Sequence, residues 1–414
     1  MISDNINKDK KSRIKVPELM APAGDWTMLR TAIQYGANAV YFGVDKLNMR
    51  ASAKNFSVRD LPKISEFCHS NNVLSYLTLN SIVYESELKQ VEKIIKIAKE
   101  SGISRIICWD LSVVEICKEY EIPFCISTQA SVSNSYAIDF YKKIGATRIV
   151  LARECTLSDI KKIRKKTDLE LEVFIHGAMC VAISGRCFMS HHLFNKSANR
   201  GECLQPCRRE YEIYDPSIGK SLLIGEDYVM SPKDLCTIEF IDKIIQTGVD
   251  SLKIEGRKRS PEYVATTVSV YRKAIDLYFE KKLTKEVKSI LLDELKTVYN
   301  KGFSSGFYFG TPSSEDYSSV EGSLATTRKK YIGKVLNFYK KNNVVHILVE
   351  SGSLKLNDDI IFIGETTGLL RHKIFSFKVN DKDGVLAKKG DEITLIVDSL
   401  VRRNDKVYKI ETVN

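Results

Sequence analysis

The chain reads as an α/β protein: a (β/α)8 TIM-like barrel with a cysteine-bearing insertion, followed by a small C-terminal β-barrel. Three observations carry this reading. Eight short apolar runs alternate with helical patterns over about 250 residues, the scale of a (β/α)8 unit. The runs are apolar throughout, as strands of a parallel sheet covered on both faces are. From residue 331 onward the pattern changes to short alternating strands divided by turns such as Asp383-Gly384 and Lys389-Gly390. A doubly wound open sheet is the alternative for the first region, because periodicity does not distinguish a closed sheet from an open one.

In chain order, residues 1–15 (MISDNINKDKKSRIK) are polar and basic. They lack the apolar segment of a secretory signal and read as a disordered tail. Residues 18–24 (ELMAPAG) form a strand running into a turn, where Asp25 can cap a helix that ends near Gly36. Residues 38–44 (NAVYFGV) and 73–79 (VLSYLTL) are the second and third strands. Residues 85–101 place Leu88, Val91, Ile94, Ile95 and Ala98 at helical spacing, closed by Gly102. Further strands fall at 105–109, 124–127, 148–152, 169–175 and 251–254. One gap is outsized, from 177 to 250, and an insertion of that length after a barrel strand is usually functional. Ser260-Pro261 then starts a helical region that runs through Tyr299 with a break near Leu283. The domains expected are a tail (1–15), a barrel (16–310), a linker (311–330) and the small β-barrel (331–414).

Lys and Arg number 63 against 52 Asp and Glu, a formal charge of +11. That balance suits a polyanion such as RNA, and equally a lysine-rich surface that is merely solvated. No run approaches eighteen apolar residues, so no membrane span is expected and the cytoplasm follows. Ten cysteines in a reducing compartment point to metal or catalytic roles ahead of disulfides.

Five of those cysteines lie in the insertion, at Cys180, Cys187, Cys203, Cys207 and Cys236, among Gly, Ser, Arg and Asn. Cys68, Cys108, Cys117, Cys125 and Cys155 sit in apolar contexts and read as buried hydrophobes. Gathered thiolates repel unless a metal neutralises them, and four are the complement of an iron–sulfur cluster. Cys203-x3-Cys207 also matches zinc spacing. Neither HExxH nor GxSxG occurs. His176 lies four residues before Cys180, so a nucleophilic Cys/His pair is conceivable, as is a structural histidine. Charged or polar residues end several strands at one mouth: Arg50, Gln129, Arg153, Glu154, Arg186, Glu255 and Arg257. His176 and Glu255 stand as candidate catalytic groups. Arg50, Gln129, Arg186 and Arg257 stand as a grip for carboxylate or phosphate.

The stretch EVFIHGAMCVAISGRCFMS resembles the signature of the collagenase-like peptidase family U-32. The resemblance extends through ELMAPAG, YFGVDKLNMRA, STQASVSN, RGECLQPCRREY, SPKDLC and LKIEGRKRSPEYVATTVSVYR. It covers nearly all of residues 16–310. The tail domain is similar to the family's C-terminal domain, itself like the β-barrel of translation factors, and this layout matches the branch that makes 5-hydroxyuridine at the tRNA wobble position. The resemblance implies oxygen-independent hydroxylation of tRNA uridine, of a ribosomal RNA cytidine or of the ubiquinone ring. It implies prephenate as co-substrate in the tRNA branch and a 4Fe-4S cluster as in the ubiquinone branch. Carried onto this chain, the cluster ligands are Cys180, Cys187, Cys203 and Cys236, with Cys207 as the alternative. The partners implied are a tRNA anticodon loop, a small dicarboxylate and a paralogous subunit. A collagenase-like peptidase and a non-catalytic RNA-binding subunit are the competing readings.

Overall fold

The computed structural model describes residues 15–49, 51, 54–209, 211–223, 230–320 and 322–413. Residues 1–14 of the expected tail and the candidate Arg50 lie outside the described residues. Eight parallel strands form the barrel: β1 (Glu18–Pro22), β2 (Ala39–Phe42), β3 (Leu74–Thr78), β4 (Arg105–Cys108), β5 (Phe124–Ile126), β6 (Arg148–Val150), β7 (Glu170–Gly177) and β8 (Ser251–Ile254). Each pairs with the next, and β8 pairs in parallel with both β7 and β1. That second pairing closes the sheet and excludes the open doubly wound alternative.

Local chemistry sets the elements where the sequence places them. The Asp25 carboxylate accepts from the Met28 N–H and starts the helix Trp26–Gln34. In the helix Leu88–Glu100 the buried residues are Val91, Ile94, Ile95 and Ala98, one stripe at helical spacing. The break near Leu283 separates the helices Pro261–Phe279 and Lys285–Lys296. Ser260 occupies the cap position of the first without a side-chain bond to it.

The barrel interior is not uniformly apolar. Arg148, 3% exposed, reaches Glu18 (2.6 Å), Glu170 (2.8 Å) and Glu172 (3.1 Å). Lys253 lies 2.7 Å from Glu172, and Arg105 2.5 Å from Glu170. Three carboxylates thus meet three cations at the N-terminal end of the barrel. Burial alone would raise the Glu172 carboxyl, but Lys253 and Arg148 hold it below its ordinary range.

The C-terminal region is an eight-stranded antiparallel sheet folded around one core that includes Ile332, Val345, Phe362, Ile393 and Val407. Its two edge strands, Gly368–Lys373 and Lys382–Gly384, show no pairing with each other among the described residues. The edge Gly368–Lys373 is covered instead by the first domain. The Gln34 side-chain amide donates to Thr367 O (2.7 Å) and accepts from Leu369 N–H (3.4 Å), satisfying backbone groups that a free edge leaves bare. Ala265, Ile361 and Leu369 pack beside it. The expected linker is shorter than 311–330, because a strand already begins in Thr327–Tyr339. It is also strapped to the barrel domain, with Lys233 N–H on Asp316 O, Ser318 N–H on Ser231 O and Leu324 N–H on Asn300 O.

Candidate functional site

The insertion folds over the C-terminal end of the barrel and encloses a cavity of about 930 Å³ with the strand ends. Two guanidiniums define its chemistry. Arg257 follows β8, is 9% exposed, donates from Nη1 to Thr78 Oγ1 (3.2 Å) and lies 5.5 Å from the centre of the Tyr41 ring. Its Nε is buried with no acceptor. Burial pushes its pKa down to about 10. Arg153 follows β6, donates to Ala178 O (2.7 Å) and lies 3.9 Å over the Phe174 ring; burial lowers its pKa too. Among the described residues neither has a carboxylate at ion-pair distance. Of the other cations on the wall, Lys253 is answered by Glu172 and Arg259 by Asp234, Arg208 donates to Met179 O and Pro232 O, and Lys258 lines the cavity beside Arg257. Two buried guanidiniums without a carboxylate partner are suited chemically to an anion.

The backbone makes room for this arrangement at two glycines. An added Cβ at Gly24, in ELMAPAG, would meet Arg257 O at 2.9 Å. Gly177 ends β7 at φ +108°, and a Cβ there would meet Glu255 O at 2.6 Å. Only glycine accommodates both demands at Gly177. The His-Gly break in the signature stretch is therefore what lets β7 and the Glu255–Arg257 segment approach each other.

Cys180, Cys187, Cys203 and Cys207 all line the cavity. Backbone N–H groups two residues on face three of the sulfurs: Ala182 to Cys180 (3.4 Å), Met189 to Cys187 (3.4 Å) and Gln205 to Cys203 (3.3 Å). Such donors stabilise a thiolate or a thiolate-bound cluster. Burial first, then the neighbouring thiols, raises the Cys180 and Cys207 pKa values, the latter to about 11. That mutual repulsion is what a bound cation relieves. Donor type and number fit a four-thiolate cluster. As placed, no three His, Cys, Asp or Glu side chains among the described residues close on one metal position.

The structure separates Cys236 from this group. It lies on the strand Asp234–Cys236, paired antiparallel with β7 opposite His176. An amide from Ile238 faces its sulfur as well, but the thiol is buried 3.8 Å from the Tyr271 hydroxyl, and burial pushes its pKa up to about 12. The expected ligand Cys236 is not among the residues that line the cavity, whereas Cys207, the alternative, is. The other five cysteines are buried, as their apolar contexts imply.

The candidate catalytic residues divide. Glu255 lines the cavity and accepts from Ala178 N–H (3.3 Å). His176 does not line it: the ring is 1% exposed, packed against Tyr263, Tyr271 and Phe303, with Nδ1 3.3 Å from the Tyr271 hydroxyl. It is a core histidine, because the turn at Gly177 and the added strand Asp234–Cys236 carry the chain over it. No cavity thiol pairs with it. Gln129 lines the cavity and accepts from the Ser127 hydroxyl, to which Asn80 Nδ2 also donates (3.4 Å). Arg186 lies outside on the rim, donating to Ser131 Oγ (3.3 Å).

Residues 24–318 match the model of peptidase family U32. The chain belongs to that family. A relative from Methanocaldococcus jannaschii, named an uncharacterized protease, is 43% identical to this U32 chain over 403 residues, covering 95% of this chain and 98% of the relative. A collagenase from Porphyromonas gingivalis is 39% identical over 406 residues, covering 95% and 98%. A tRNA hydroxylation protein from Bacillus subtilis is 37% identical over 381 residues, covering 91% and 89%. Among the described residues of the U32 chain no helix is long and apolar enough to cross a membrane.

Several cavity residues are not among the site residues expected from the sequence: Tyr41, Thr78, Asn80 and Lys253. The available signal is a lone polar side chain inside an apolar strand, as in SLKI of β8. The buried His176 has a consequence for stability. Burial first, and then Arg259, lowers its pKa to about 3. The unfolded chain therefore takes up a proton near pH 6.5 that the folded chain refuses. Stability is untouched above that pH and falls as pH drops from about 6.5 towards 3, by up to about 1.4 kcal/mol per unit from this residue. Urea unfolding between pH 7.5 and 5 should show this slope in wild type and lose it in His176→Phe; equal slopes would remove His176 as its source.

Proposed function

We propose that the protein hydroxylates the wobble uridine of tRNA to 5-hydroxyuridine, with a small dicarboxylate of the prephenate type bound in the cavity. The observation that carries this reading is the pair of buried guanidiniums, Arg257 and Arg153, which have no carboxylate at ion-pair distance among the described residues. Two cations suit two carboxylates. The tRNA hydroxylation protein among the relatives supports the same branch. A cavity of about 930 Å³ leaves room beside a small acid for one unstacked base, and an anticodon loop unstacks a base at low cost.

Replacing C5–H by C5–OH adds an oxygen and removes two electrons from the base; in the balanced exchange U–H + R–OH → U–OH + R–H, a hydroxyl-bearing acid of the prephenate type gives the oxygen and takes up the two electrons. A cluster held by Cys180, Cys187, Cys203 and Cys207 would supply electron transfer at the cavity wall. Arg257 and Arg153 hold and orient the acid, Gln129 and Asn80 offer amides to the base, and the insertion excludes bulk water. Two outcomes test this. Anaerobically purified protein with tRNA and prephenate should yield a uridine heavier by one oxygen in nucleoside digests, and none without prephenate; unmodified tRNA from cluster-loaded protein would overturn the reading. For the ligands, Cys207→Ser should lose iron and sulfide while Cys236→Ser retains them; the reverse result returns the fourth place to Cys236.

A second reading, a peptidase, is favoured by the names of two relatives. It needs a nucleophile with a base, and His176 is buried away from every cavity thiol. Cleavage of a collagen peptide that survives Arg257→Met and is blocked by a thiol reagent would support it.

A further inference from the structure

The mouth of the barrel carries aromatic rings that neither core uses. Tyr84 follows β3, Trp109 follows β4 and Tyr136 follows β5. Phe188 stands on the insertion between two cavity-lining residues, Cys187 and Met189. The strands β3, β4 and β5 are consecutive neighbours. Their rim loops therefore stand side by side, with the strands beneath them about 5 Å apart. Tyr84 is 56%, Tyr136 85% and Phe188 75% exposed. None of these three packs into a hydrophobic core.

Cations lie on the same arc. The Arg186 guanidinium is 5.9 Å from the Trp109 ring centre, and that of Arg200 is 4.9 Å from Tyr84. Glu87 neutralises Arg200. Arg186 is exposed, and the partners seen for it are the Ser131 hydroxyl and the Trp109 ring. The centre of a protein-docking patch is depleted of charge and closely packed. Here Tyr84, Trp109 and Phe188 sit on separate segments and Tyr136 in the first turn of the helix Ser135–Lys143, with the exposed Arg186 guanidinium held between Ser131 and Trp109. Flat rings interleaved with cations stack unpaired bases and attract the phosphates between them.

We propose that Tyr84, Trp109, Tyr136, Phe188 and Arg186 form a stacking platform for the unpaired RNA bases that flank the nucleotide entering the cavity. This rests on the RNA reading above and extends it to the residues that would hold the loop open.

The test uses the full chain, purified anaerobically, titrated at fixed salt with a labelled anticodon stem-loop RNA and with a blunt RNA duplex of equal length. The stem-loop should bind more tightly than the duplex. Phe188→Ala and Tyr136→Ala should each weaken stem-loop binding about tenfold while leaving duplex binding and the melting temperature unchanged. Arg186→Gln should weaken both RNAs and reduce the salt dependence by about one phosphate contact. Equal wild-type affinity for loop and duplex overturns the platform. So does unchanged stem-loop affinity in the Phe188→Ala/Tyr136→Ala double variant, including the case where that variant alters the oligomeric state instead, which would mark a protein interface. The functional reading fails separately: wild-type protein that prefers the stem-loop yet leaves its uridine unmodified with prephenate present keeps the platform and loses the hydroxylase.

Discussion

If the proposed function holds, Arg257→Met should abolish tRNA hydroxylation and leave a protein that melts no lower than wild type. Losing a buried, hydrogen-bonded charge partner costs a bound anion about 2–5 kcal/mol, roughly 30-fold to several thousand-fold in affinity. The protein itself gains from the change. Arg257 is a desolvated cation whose described partners are Thr78 Oγ1 and the Tyr41 ring, and methionine fills most of the same space without that penalty. Activity lost with stability kept or raised is the signature of a residue retained for binding. Activity measured across prephenate concentrations, beside a thermal melt, checks both halves. A variant that keeps wild-type activity removes Arg257 from the site, and one that unfolds makes it structural.

Arg148→Met has the opposite signature. It strands Glu18, Glu170 and Glu172 at the closed end of the barrel, and Glu172 is fully buried. Removing one partner of a buried ionic group costs about 3–5 kcal/mol. The loss should be worst near neutral pH. In wild type the Glu172 pKa is held down, so its contribution is present above the unfolded carboxyl pKa and is lost as pH falls through the folded value. Without Arg148 the carboxyl titrates higher, and acid should recover part of the missing stability. Adding Glu172→Leu to Arg148→Met should recover part of the loss as well. Urea unfolding at pH 7 and pH 5 measures both effects. A change under about 1 kcal/mol would mean that Lys253 and Arg105 can reorganise to carry the network.

The barrel strands are legible in the sequence because burial on both faces leaves a run of β-formers that few other environments produce. The inward charges are not legible. Glu172 in ELEVFI and Lys253 in SLKI look like solvated interruptions, and only closure of the barrel turns them towards each other. The cavity arginines are legible as strand ends, whereas the absence of carboxylate partners is a tertiary fact. Cys207 and Cys236 cannot be ranked from spacing, since a loop of any length can return to one point. Pairing with β7 at His176 leaves Cys236 off the cavity lining, on which Cys207 stands. The same pairing buries His176, which the sequence leaves open between a partner for Cys180 and a structural histidine. Alternation marks the antiparallel sheet of the C-terminal domain and is silent on its edge, where Gln34 of the other domain meets Thr367 and Leu369.

The claim on which the account depends is that the cavity binds a small dicarboxylate through Arg257 and Arg153. Calorimetric titration of anaerobically purified protein with prephenate, in the absence of RNA, tests it most directly. The account predicts saturable one-site binding in wild type that is lost in both Arg257→Met and Arg153→Met, with Arg186→Gln unaffected. No binding in wild type, or equal binding in all four proteins, would contradict it.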